Sequence, residues 1–181
     1  MVKAVLLLND HLNRNYGALK KANPKTDLIL FIESERMLTT RSWHIQRLFF
    51  LLASRDHFLQ ELKDEGFTVT FIKSADTRSG LEEFRKKNPG VEIEVAEPSS
   101  HKQYEDLKQS GLTFIENDFF LTSRTLFAQW ASAQKSLVME NFYRSQRVRL
   151  DILMEGGQPL GGKWNYDADN RLPPPKGAHT W

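Results

Sequence analysis

The chain has 181 residues, 40% hydrophobic and 27% charged, with a formal net charge of +2. That is the balance of a single soluble globular domain large enough to bury its own core. The small cationic surplus argues for neither a nucleic-acid nor a membrane partner, and no apolar run approaches the ~20 residues that span a bilayer. The absence of cysteine excludes disulfides, thiolate catalysis and cysteine-held zinc or iron–sulfur sites within the chain.

The first segment, VKAVLLL, is a short apolar run that reads as a strand buried on both faces. It is followed by ND rather than a small-residue cleavage site, so it is not a signal peptide and a cytoplasmic location is expected. Asp27 to Glu33, DLILFIE, repeats the pattern. A long helix then follows within Arg41–Gly66, where Ile45, Leu48, Phe49, Leu52, Phe58, Leu59 and Leu62 recur at three-and-four spacing and Gly66 suits a left-handed C-terminal cap.

FTVTFIK is the third strand, SGLEEFRKKNPG a short helix, and VEIEVAEP a half-exposed fourth strand. SSHKQYEDLKQSG opens on serines fit to cap a helix, and LTFIEND is the fifth strand. From Ser123 to about Glu155 the pattern is helical again, in two pieces. Strands alternating with helices through short connectors predict a Rossmann-like α/β three-layer sandwich around a five-stranded parallel sheet. The expected organisation is an α/β domain over 1–155 and a Gly/Pro-rich connection over 156–181.

In such a sheet, ligands bind beyond the carboxyl ends of the strands. Those ends read Asn9-Asp10-His11, Glu33-Ser34-Glu35, Lys73-Ser74, Glu97-Pro98-Ser99 and Asn117-Asp118. Polar strand exits also meet solvent and cap helices, which is the plainer reading for any one of them. Asp10 and Glu33 would form an acid/base pair only if the first two strands are neighbours. Neither G-x-G-x-x-G nor G-x-x-x-x-G-K-[ST] is present, and no G-x-S-x-G elbow supports a hydrolase. No two of the five histidines stand at i, i+4 to hold a metal.

In KSLVMENFYRSQRVRLDILMEGG, Arg144, Arg147 and Asp151 share one helix face, with Leu137, Val138, Phe142, Leu150 and Leu153 as a packing stripe. The basic residues beside Tyr143 suit either a phosphate or an ordinary salt-bridged surface. The closing GGQPLGGKWNYDADNRLPPPKGAHTW reads as a specified turn, with Gly161 and Gly162 allowing it and Trp164 anchoring it. Asp167, Asp169, Asn170 and Arg171 are placed to lock the turn, and LPPP gives a stiff exit.

Several of these segments together resemble one family. NDHL after the first strand, SWHIQRLFFLLASRDHFLQELKDEGFTV, NDFFLTS, KSLVMENFYRSQR, LMEGGQPLGGKWNYDADNR and PPPKG follow its order across essentially the whole chain. The chain is similar to the deoxyribodipyrimidine photolyase-related proteins, the bacterial (6-4) photolyase and cryptochrome branch. The block from Met139 to Arg171 is the most specific.

The resemblance implies the N-terminal antenna-type α/β domain of a light-driven flavoprotein. In relatives this domain holds a ribityllumazine pigment, and a helical C-terminal domain holds FAD, damaged DNA and a four-cysteine iron–sulfur cluster. FAD and cluster are not expected in this chain, and DNA would be met only through the missing domain. The pigment-binding positions carried over are Leu8, Asn9, Asp10, Glu33, Met37 and Leu51. Asn9 stands where relatives have glycine, and Met37 where they commonly have a second glutamate. A ribityllumazine or a flavin-type antenna is the expected small-molecule chromophore. The alternative is a stand-alone interaction module that has lost pigment binding. Its long and last helices would meet a second copy, as a homodimer, or a separate flavin-domain subunit; no membrane partner is expected.

Overall fold

A computed structural model describes residues 2–167. They belong to two compact units, one ending at Ser123 and one beginning at Arg124. Asp169, Asn170, Arg171 and the LPPP exit lie outside the described residues. Among the described residues, no helix is long and apolar enough to cross a membrane.

The first unit is built on β1 (Lys3–Leu7), β2 (Leu28–Ser34), β3 (Thr68–Ser74), β4 (Glu92–Ala96) and β5 (Thr113–Ile115). All neighbours are parallel, in the order β3-β2-β1-β4-β5. Between the strands run α1 (Glu35–Thr39), α2 (Ile45–Asp64), α3 (Thr77–Lys87) and α4 (His101–Lys108), plus a 3-10 segment, Gly17–Lys21, after β1. This is the Rossmann-like α/β arrangement that the alternation predicts.

Strand side chains alternate between faces, so each strand feeds two cores. On one face Val5, Leu7, Ile29 and Phe31 pack with Leu59 and Leu62 of α2 and with Ala18 and Leu19 of the 3-10 segment. On the other, Ala4, Leu6, Leu30, Ile32 and Ile72 pack with Leu81 and Phe84 of α3 and Leu107 of α4. Side chains such as Phe31 and Leu30, fully withdrawn from water, each contribute roughly 1.5–3 kcal/mol of burial free energy.

Helix ends are set by local chemistry. Asp76 Oδ1 accepts from Ser79 N at 2.8 Å to start α3, and Ser100 Oγ accepts from Gln103 N at 3.4 Å to start α4. At the end of α2, Gly66 takes φ +95° while Gly66 N donates to Lys63 O and Phe67 N to Leu62 O. These are the two bonds of a Schellman cap, closed by contact between Leu62 and Phe67.

Of the predicted apolar stripe on α2, Leu59 and Leu62 are buried, but Ile45 and Phe49 are each 72% exposed and no residue of 45–54 is buried. Periodicity identified the helix; it carried no information on where the sheet beneath it stops.

The second unit holds α5 (Arg124–Ser132), α6 (Met139–Leu150), the short antiparallel pair β6 (Met154–Glu155) and β7 (Gln158–Pro159), and a 3-10 turn, Leu160–Gly162. Phe142 of α6 meets Trp130 and Phe127 of α5 edge-on, at 4.9 and 5.2 Å between ring centroids. Leu137, Val138 and Leu153 of the predicted packing stripe are exposed.

Candidate functional site

The strand order reverses between β1 and β4, since β1 leads to β2 on one side while β4 leads to β5 on the other. The crevice beyond that point is the usual ligand position in a sheet of this kind. Here it holds side chains of the protein itself. His11, 3% exposed, meets Tyr16 edge-on at 5.0 Å, and Tyr16 meets Phe119 at 5.2 Å. The space left beside them is about 10 Å³.

Asp118 fastens the crevice. Its Oδ1 accepts from Gly17 N at 2.7 Å and its Oδ2 pairs with Lys20 at 3.4 Å. Gly17 has φ +50°, and a Cβ there would lie 2.5 Å from Ala96 Cβ, so only glycine lets the 3-10 segment approach β4. Burial pushes the Tyr16 phenol up to about 12; Asp10, Asp118 and Glu97 add to the rise, and Asn117 offsets part of it. Burial lowers the His11 imidazole below its ordinary range, opposed by Asp10, whose Oδ1 lies 3.7 Å from Nε2. Neither ring nitrogen of His11 has a hydrogen-bond partner among the described residues.

The predicted pigment positions lie on the other side of β1. Leu8 is buried and Asn9 half-buried just past the strand, and Asp10 follows with its side chain 54% exposed. Asn9 Nδ2 donates to Met37 Sδ at 3.1 Å, which ties the end of β1 to α1. Met37 is placed there because Ser34, the last residue of β2, caps α1 through Met37 N at 3.3 Å. Glu33 precedes that cap, and its carboxylate accepts from Arg55 of α2 and pairs with Lys73 of β3 at 3.4 Å. Leu51 is half-buried one turn before Arg55 on the same helix.

Three stretches, Leu8–Asp10, Glu33–Met37 and the middle of α2, are thus linked by named contacts at one sheet edge. β1 and β2 are neighbours, as an Asp10–Glu33 acid/base pair would need. The two carboxylates nevertheless differ: that of Glu33 is held by Arg55 and Lys73, while that of Asp10 lies 3.7 Å from the neutral His11 ring without a hydrogen bond to it.

Most other polar strand ends are used structurally. Ser74 Oγ donates to Asp76 O at 2.7 Å, and Asn117 Nδ2 donates to Glu97 O at 2.8 Å. Asp10 and Glu35 are exposed at the linked edge, and Asn9 beside them is half-buried.

Arg55 is the residue that sequence reasoning missed. It is 6% exposed, its guanidinium lies over Phe31 and Phe71 at 5.7 and 5.0 Å, and it also pairs with Asp56 at 2.7 Å. A signal existed, because Arg55 stands four residues before Leu59 and seven before Leu62, inside the apolar stripe. A cation in a core position requires a carboxylate nearby.

In the second unit, the arginines considered for phosphate are committed. Arg147 is buried, and its guanidinium donates to Ile152 O at 3.2 Å, Trp164 O at 3.1 Å, Tyr143 Oη at 3.3 Å and the carbonyl of Leu153. Arg144 donates to Glu140 at 3.0 Å and lies over the Trp164 ring at 5.5 Å. Gly161 and Gly162 take φ +73° and +72° at the predicted turn, and Trp164 is held from above by both arginines. An open cavity of about 740 Å³ beside them is lined mainly by Met139, Tyr143, Leu153, Leu160, Trp164 and Tyr166.

The model of the deoxyribodipyrimidine photo-lyase-related protein family matches residues 5–180. A (6-4) photolyase of Agrobacterium fabrum is 31% identical over 185 residues, covering 96% of this chain and 36% of the photolyase. The uncharacterized protein R852 of Acanthamoeba polyphaga mimivirus is 26% identical over 156 residues, covering 80% of this chain and 78% of that protein. The chain thus spans about a third of the photolyase and most of the viral protein. It belongs to the deoxyribodipyrimidine photolyase-related protein family.

Proposed function

We propose that this chain is the pigment-carrying α/β part of a photolyase-related flavoprotein, acting in the cytoplasm with an FAD-binding polypeptide in light-dependent DNA repair or light sensing. The observation that carries this reading is the linkage of Leu8–Asp10, Glu33–Met37 and α2 at one sheet edge, with Asp10 open to solvent.

The residues present suit a ring bearing a polyol chain. Asp10 and the oxygen of Asn9 accept hydrogen bonds from hydroxyls, and Met37 and Leu51 offer polarizable and apolar contact to a ring, while Leu8 is buried in the core on the α3 side of the sheet and supports the strand end from beneath. The Asn9–Met37 bond ends on a thioether, a weak acceptor, so the amide is free to exchange it for a better one. Glu33 supports the site indirectly, because its carboxylate is already held by Arg55 and Lys73. A bound ribityllumazine or flavin-type pigment would supply light absorption and hand excitation to the flavin partner.

The test is the colour of the protein purified from a host that makes both compounds. A visible absorption band that leaves with a small molecule on denaturation supports the reading. A preparation that is colourless and stays so when offered ribityllumazine or riboflavin phosphate contradicts it.

The second reading, a module without pigment, is favoured by one observation. The carboxylate of Glu33, the charge best placed to recognise a ligand, is neutralised by the protein's own Arg55.

A further inference from the structure

The outer surface of α2 has a property that pigment binding does not use. Phe49 and Phe50 are 72% and 68% exposed. With Gln46, Ala53, His57, Gln60 and Asp64 they form one stripe at three-and-four spacing on the face turned away from Leu59 and Leu62.

On the flank of this stripe that carries Arg47 and Glu61 the exposed charges differ in sign from end to end, while Lys63, also exposed in the last turn, lies on the other flank. Arg41, just before the helix, and Arg47 mark the N-terminal end, and Glu61 and Asp64 lie near the other. None of these four has an ion-pair partner among the described residues, although both arginines lie over the Trp43 ring at 6.0 and 5.1 Å. Small residues, Ala53 and Ser54, occupy the midpoint.

We infer that this face binds a second copy of the chain, α2 against α2 in antiparallel orientation about a two-fold axis passing by Ala53 and Ser54. An isologous contact requires a self-complementary patch, and this stripe is one. Reversing the helix direction sets the basic end against the acidic end, so that Arg47 faces Glu61 of the partner subunit and Arg41 approaches the partner's Asp64. Phe50 then packs beside the partner's His57, and the small residues at the axis let the two helices come close. The 20-residue helix is about 30 Å long, long enough for a continuous seam.

The same distribution argues against other occupants. A lipid surface selects an apolar stripe with cations along its flanks, whereas here Asp64 stands in the stripe and Glu61 beside it. A nucleic acid would be repelled by Glu61 and Asp64.

The test is the molar mass of the full chain in solution, by sedimentation velocity and light scattering over a wide concentration range. A reversible monomer–dimer equilibrium is expected. Phe49→Asp with Phe50→Asp should abolish the dimer while leaving the circular dichroism spectrum unchanged, since both side chains are exposed. Each ion pair occurs twice across the axis, so Arg47→Glu alone or Glu61→Arg alone should weaken the dimer by about tenfold. The double reversal should restore it. A chain that is monomeric throughout overturns the inference. So does a dimer indifferent to the phenylalanine changes, or one that the double reversal fails to rescue. A monomer that instead binds anionic vesicles or an oligonucleotide through Phe49 and Phe50 likewise overturns it.

Discussion

Arg55 of α2 and Glu33 of β2 form an ion pair inside the first unit, with side chains only 7% and 13% exposed. The pair fixes α2 over the carboxyl ends of β2 and β3, since Lys73 shares the same carboxylate. It therefore sets the position of Leu51, one turn away, and of the whole candidate site.

Removing one member leaves the other charged in a site that excludes water. Arg55→Ala should lower unfolding free energy by about 3–5 kcal/mol, measured by urea denaturation. Arg55→Met combined with Glu33→Leu removes both charges and keeps volume, and should recover most of that loss. A double variant as unstable as Arg55→Ala would show that packing of the guanidinium against Phe31 and Phe71, rather than charge, is what matters.

His11 gives the stability a pH dependence of known sign. Burial holds its folded-state value below the ordinary 6.5. Between 6.5 and that lowered value the unfolded chain takes up a proton that the folded one refuses. Stability contributed by neutral His11 is therefore complete above that range and declines as pH falls through it, by up to about 1.4 kcal/mol per pH unit. His11→Phe keeps a ring against Tyr16 and removes the titration. Urea midpoints between pH ~7.5 and ~5 should fall more steeply for the wild type than for the variant. Parallel profiles would place the proton elsewhere.

Arg147 organises the second unit. Asp151 and Leu153 both adopt φ +53°, and the carbonyls of Ile152 and Leu153 accept from its guanidinium, as does that of Trp164. Lysine cannot reproduce the planar fork. Arg147→Lys should cost about 2–3 kcal/mol and speed amide exchange across 152–164. Unchanged exchange there would mean that the turn holds itself.

The fold was legible because a parallel sheet buried on both faces leaves continuous apolar runs, such as VKAVLLL and DLILFIE, separated by helical periodicity and glycine caps. Gly66 and Ser100 do what their positions predicted. The site was legible only as a set of strand ends. Whether Glu33 faces a ligand or an arginine depends on how α2 crosses the sheet, and local sequence does not encode that. The crevice at the strand-order reversal was equally hidden, because His11, Tyr16 and Asp118 are brought together from distant segments. In the last helix, Arg147 reads as a surface charge by composition. Only the left-handed turn after it reveals carbonyls that need a buried donor.

The most direct measurement is a fluorescence titration of the purified chain with ribityllumazine, run in parallel on Asp10→Ala. Saturable binding by the wild type is expected, weakened about tenfold or more when Asp10 loses the carboxylate left open at the sheet edge. No saturable binding of ribityllumazine or riboflavin phosphate by the wild type, or equal binding by Asp10→Ala, would contradict the proposed pigment site.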